Sequence, residues 1–277
     1  MADSCEEGLA GFDFRPGPPR LSLLPTMSHH SDHEAEHTVE AIRERLASLS
    51  TQSHLKDFIF GAIDGLVTTF AVVSSVAGAG LATGIIIVMG LANLLADGFS
   101  MAAGNFTGTR AENQSARRHR REEEEEVENH PELEREEVRQ IFAAKGFEGD
   151  LLEQVVATIT ADQKRWVDTM IQEEHGFPLN PPSGLRAAVV TFVAFVTIGA
   201  IPLLSFFINL FGGDLPHPFV FSCGLTALAF FGIGSLKGRF VDQHWFLGGM
   251  ETLGIGTAAA LLAYGVGFWL KHLMPGL

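Results

Sequence analysis

Charge along this chain comes in blocks. Five windows are nearly free of it: 58–80, 84–105, 187–211, 219–236 and 245–270. A helix needs about 20 apolar residues to cross the hydrocarbon core of a bilayer. All five windows qualify, the fourth only just. The long polar stretch 106–186 separates the second window from the third, and its apolar residues recur with a helical period. One helix is predicted to continue the second span to about Glu128 and to break at 129–131. A second runs from about Glu132 to Ala144. After Gly146 and Gly149, a third runs from about Leu151 to Glu174, with an apolar stripe at Leu152, Val155, Val156, Ile159, Trp166 and Met170. Gly176, Pro178, Pro181 and Pro182 close the region.

The chain is therefore expected to be an all-α membrane protein with five transmembrane helices and a three-helix domain inserted between helices 2 and 3. Four regions follow: an N-terminal segment (1–54), transmembrane helices 1–2 (55–109), the inserted helical domain (110–183) and transmembrane helices 3–5 (184–277). With the N-terminus in the cytoplasm, segments 1–57, 106–186 and 237–244 lie inside and hold 18 of the 19 Lys and Arg residues. That asymmetry is the positive-inside pattern, and it makes the insert cytoplasmic.

Residues 1–40 are Pro-rich and polar and are expected to be disordered. His29, His30, His33 and His37 cluster there, most simply as incidental histidines of a solvated tail. Residues 41–56 have the pattern of an amphipathic helix leading into the membrane. No secretory leader is expected, because the first 26 residues carry no apolar stretch, and Met27 offers an alternative start. Cys5 and Cys223 are too far apart in sequence to suggest a disulfide framework or a metal motif. The formal charge of −14 gives no reason to expect a nucleic-acid partner.

Composition also points to chemistry. Asp64 and Asp97 fall inside the first two spans, where a charge is costly and usually marks a pathway or site. Asn93, Asp97, Met101 and Asn105 are spaced by four and so share one helix face. A stripe of carboxylate, amide and thioether suits a moderately soft divalent cation. From Arg110 to Pro178 the chain carries 18 Asp and Glu against 10 Lys and Arg. Glu123 and Glu126, Glu134 and Glu137, and Met170 and Glu174 are neighbours at three or four residues, one pair on each expected helix. Three such pairs would suffice to enclose divalent ions, although a solvated acidic helix face is the simpler reading of the glutamate run alone.

The words FGAIDGLVTTFAVV in the first span and GLANLLADGFSMAAGN in the second closely resemble the vacuolar iron transporter family. WVDTMIQEEHG, SLKGRF and ETLGIG fit as well, and the resemblance covers about Leu55 to Leu270. It implies a five-helix homodimer that exchanges Fe²⁺, and often Mn²⁺, against protons, with a cytoplasmic metal-binding domain. Matched by position, it implies Asp57 at the entrance, Asp64 deeper in and Met101 on the path. It implies Glu123, Glu126, Glu134, Glu137, Met170 and Glu174 as ligands of the domain. The chain departs from the plant-type pattern at Asn93, where a glutamate is expected and Asp97 is a substitute one turn away. It departs again at Ile171, where a second methionine is expected. Thr68, one turn from Asp64, is a further pathway candidate.

No resident cofactor and no enzymatic activity are expected; GxSxG and Walker A motifs are absent. A passive metal channel and a membrane-anchored metal sensor or store remain open on the sequence. The wording and the missing leader favour a prokaryotic inner membrane, with a vacuolar membrane as the eukaryotic counterpart.

Overall fold

The structure, a computed structural model, describes Thr38 and residues 54–274. Among these, every regular element is helical. Five helical stretches are long and apolar enough to span a membrane: α1 (Leu55–Ala79), α2 (Thr83–Asn129), a third stretch (Gly184–Leu210), α8 (Pro218–Phe240) and α9 (Trp245–Leu273). The third stretch is not one smooth helix. It comprises α6 (Gly184–Gly199), a 3₁₀ turn at Ile201–Leu203 and α7 (Leu204–Leu210). Pro202 has no N–H to give the helix ladder, so the chain tightens there. The Pro202 carbonyl instead accepts the Ser222 hydroxyl of α8 at 2.6 Å.

Helix α1 is the centre of the bundle and packs against α2, α6, α8 and α9. Small residues make the closest approach. A Cβ on Gly61 or Gly65 would stand 2.5 Å from the carbonyl oxygen of Thr191 or Phe195, so only glycine lets α1 lie this near α6. The core of the bundle joins Leu66, Phe70 and Val73 to Ile86, Leu203, Phe206 and Phe230. Large apolar side chains such as Phe99, Leu228, Leu261 and Leu262 face outward. That inversion suits hydrocarbon surroundings, where backbone polarity must be satisfied within each helix.

The insert is built from the polar half of α2 with α3 (Pro131–Ala144), α4 (Gly149–Thr160) and α5 (Gln163–Glu173). Its separate core holds Val127, Val138, Val156, Ile159, Trp166, Val167 and Met170. The first two expected helices are present. The expected single helix over 151–174 is two helices: the Asp162 side chain accepts the Arg165 N–H at 2.8 Å and caps a new one. The histidines at 29, 30, 33 and 37, and residues 41–53 of the expected amphipathic helix, lie outside the described residues.

Candidate metal centre

Helix α2 runs unbroken for 47 residues, about 70 Å at 1.5 Å per residue. It therefore carries both the polar stripe of the second span and the first glutamates of the insert. Val127 anchors its far end in the insert core, which turns Glu123, one turn earlier, inward. After the break at His130 and Pro131, α3 begins, and Glu134 in its first turn is also buried. Glu123 is 2% exposed and Glu134 4%. Carboxylate oxygens of Glu123, Glu126 and Glu134 lie within 4.8 Å of one another. A second set with the same closeness joins Glu123 to Glu174 and His175. Glu123 belongs to both.

The surrounding cations avoid this centre. Arg118 pairs with Glu122, Arg120 with Glu124 and Asp168, Arg139 with Glu136 and Glu153, and Lys145 with Glu173. Among the described residues no Lys or Arg pairs with Glu123, Glu126, Glu134, Glu137 or Glu174. One oxygen of Glu123 and one of Glu134, each Oε2, is buried without a hydrogen-bond donor. Burial, and then the charges of Glu137, Glu123, Glu126 and Glu174, push the Glu134 carboxyl up to about 7. Burial raises Glu123 as well, partly offset by His175, and burial followed by Glu174 raises Glu137. A buried anion without a partner is costly. This centre is relieved by protons or by a cation. Met170, one turn before Glu174, is fully buried in the apolar core of the insert.

The membrane end is arranged differently. Asn93, Asp97, Met101 and Asn105 are all half-buried, beside the Leu94–Gly98–Ala102 face that packs inward. Asp57, Met101 and Asn105 line one open cleft of ≈ 870 Å³, together with His54, Glu112 and the loop prolines Pro178 and Pro182. Asp57 has a partner for each oxygen: the Asn105 amide at 2.9 Å and the His54 ring at 3.2 Å. The same Asn105 nitrogen donates to Thr191 of α6 at 2.8 Å. Asp64 lies deeper, within electrostatic reach of Asp97, and opens on a groove shared with Lys56 and Lys237. The Asn93 amide nitrogen is buried with no acceptor. Thr68 donates to the backbone carbonyl of Asp64 at 2.9 Å, not to its carboxylate.

Reading by sequence missed His175, His54 and Glu112. His175 stands at the end of the quoted WVDTMIQEEHG word but outside any helical pair. His54 and Glu112 come next to the cleft only through tertiary packing. Residues 33–37 read HEAEH, the HExxH spacing of zinc hydrolases. That motif needs a helix and a third ligand, and it lies outside the described residues.

The VIT family model matches residues 55–268. A vacuolar iron transporter of Toxoplasma gondii is 32% identical over 87% of this chain and 78% of its own length. Vacuolar iron transporter 1 of Tulipa gesneriana is 30% identical over 76% of this chain and 84% of its own. The protein of that name from Arabidopsis thaliana is 28% identical over 89% of this chain and its entire length.

Proposed function

The chain belongs to the VIT family, and we propose that it moves divalent metal, Fe²⁺ and also Mn²⁺, out of the cytoplasm in exchange for protons. The observation that carries this reading is the single helix α2. It carries Glu123, buried and short of a donor, and Glu126 of the glutamate cluster towards one end, and the Asn93–Asp97–Met101–Asn105 stripe towards the other, where Met101 and Asn105 line the Asp57 cleft. The insert collects ions at the cytoplasmic face, with the Met170 thioether as its soft donor. Ions pass Glu112 and Asp57 and reach Met101, Asp97 and Asp64. They leave on the far side as protons take their place on the membrane carboxylates. The distribution of Lys and Arg supports this orientation. In a prokaryotic inner membrane the result is export; in a vacuolar membrane it is loading.

The working unit in this reading is a homodimer. Next to the polar stripe, Ala92, Ala96, Ser100, Gly104 and Gly108 form an exposed line at four-residue spacing. A Cβ on Gly104 or Gly108 would meet nothing within 4 Å. Small residues on a membrane helix let a second helix approach closely, and a second copy there would enclose the stripe.

The test is Fe²⁺ uptake into proteoliposomes carrying a trapped iron-sensitive dye. Wild type and Asn93→Ala should take up iron; Asp57→Asn and Asp97→Asn should not. Iron that binds to wild type without entering the lumen would overturn transport in favour of a store.

A further inference from the structure

We propose that His175 is a direct nitrogen ligand of the insert, so that its Glu123–Glu174–His175 set is a mixed carboxylate–imidazole site for a first-row transition ion. This rests on the reading of the insert as a metal-collecting domain and adds the donor that sets its preference.

Three observations carry it. First, the His175 Nε2 is 2.8 Å from Glu123 Oε1, close to the ~3.0 Å between adjacent ligands of an octahedral ion with bonds of about 2.1 Å. Replacing the shared proton by an ion needs only a small spread of the pair. Glu123 is also the side chain whose second oxygen is buried without a donor, so the set contains an acceptor that nothing in the fold satisfies. Second, the backbone fixes the imidazole. The Glu174 and His175 N–H groups both bond the Met170 carbonyl. Gly176 then turns left-handed at φ 68°, and the Phe177 N–H returns to the Ile171 carbonyl at 3.0 Å. This is a helix stop that holds the residue before the glycine in one place. Third, the ring plane is held. The His119 ring stacks on His175 with centroids 4.5 Å apart and on Phe177 at 5.5 Å. The His119 Nδ1 lies 3.3 Å from Glu122, which makes His119 a positioning residue.

The chemistry follows from donor type. Carboxylates alone suit Mg²⁺ and Ca²⁺ as well as transition ions, whereas imidazole favours the latter. Glu174 and Glu123 offer only oxygen, and the imidazole of His175 supplies a donor softer than carboxylate.

The experiment is electron spin-echo envelope modulation on full-length protein in detergent loaded with one equivalent of Mn²⁺, supported by Co²⁺ and Ca²⁺ titrations. Wild type should show ¹⁴N modulation from a coordinated imidazole, and His272→Gln, in the last turn of α9, should keep it. His175→Gln should lose it while still binding Mn²⁺ through the glutamates. Its Co²⁺ affinity should fall about tenfold or more, the scale on which metal-site changes act, with Ca²⁺ affinity little changed. Bound Mn²⁺ without ¹⁴N modulation in wild type, or modulation that persists in His175→Gln, would overturn the assignment. Absence of any bound metal in wild type would instead sink the metal-collecting reading, and this proposal with it.

Discussion

The insert and the cleft between α1 and α2 both present carboxylates, yet they treat them in opposite ways. In the cleft, both oxygens of Asp57 have partners, Asn105 and His54. In the insert, the arginines go to outer acids, and Glu123 and Glu134 each keep a buried oxygen with none. A carboxylate already satisfied gains little from a cation and can release it; one left unsatisfied gains much. The contrast suits capture in the insert and passage in the membrane.

The strongest break comes at the membrane end. Asp64→Asn should reduce flux at least about tenfold, because a carboxylate held at membrane depth is kept for function. Metal bound by the insert should be unchanged. Loss of both would merge the two regions into one site. Next is packing. Gly65→Ala drives a Cβ against the Phe195 carbonyl and should cost about 1–3 kcal/mol. It should lower the thermal stability of the detergent-solubilised protein without altering Mn²⁺ affinity in the insert.

A pH experiment sharpens the insert side. The Glu134 carboxyl rises from 4.5 to about 7 on folding. Between those values the folded state binds more protons than the unfolded one, so its contribution to stability falls as pH rises. Metal-free wild type should melt lower relative to Glu134→Gln at pH 7.5 than at pH 5, and Mn²⁺ should close the gap at pH 7.5. Glu123 and Glu137 shift in the same direction and repel Glu134, so the variant removes both the Glu134 charge and its repulsion on them, and both act with the same sign. A gap that does not depend on pH would contradict the account.

Much of this contrast is visible in the residues. The five windows nearly free of charge mark the spans, and the pairs Glu123/Glu126 and Glu134/Glu137 mark the cluster. What the sequence hides is which members of the run Glu122–Glu126 turn inward. Five identical side chains are sorted only by the register that Val127 imposes when it enters the core. The break between α4 and α5 is hidden because the apolar stripe stays in phase across it; the Asp162 cap was the available sign. His175 is hidden because it follows the last helical turn, where spacing rules no longer apply.

The smaller effects come last. Met170→Leu should keep stability within about 1.5 kcal/mol, since the swap nearly conserves volume, yet weaken Fe²⁺ binding more than Mn²⁺ binding in calorimetry. Equal weakening would make Met170 a packing residue only. Lys237→Ala breaks an ion pair with Glu251 at 3.2 Å. Both groups are partly exposed, so the change should be at most about 1 kcal/mol, with binding in the insert untouched.

Proton exchange is tested by metal flux in proteoliposomes under an imposed pH gradient, with lumenal Fe²⁺ and lumenal pH read together. An acidic lumen should drive Fe²⁺ inward, protons should leave in step, and both movements should vanish in Asp64→Asn. Fe²⁺ entry at the same rate with and without the gradient would contradict proton exchange and leave a passive channel.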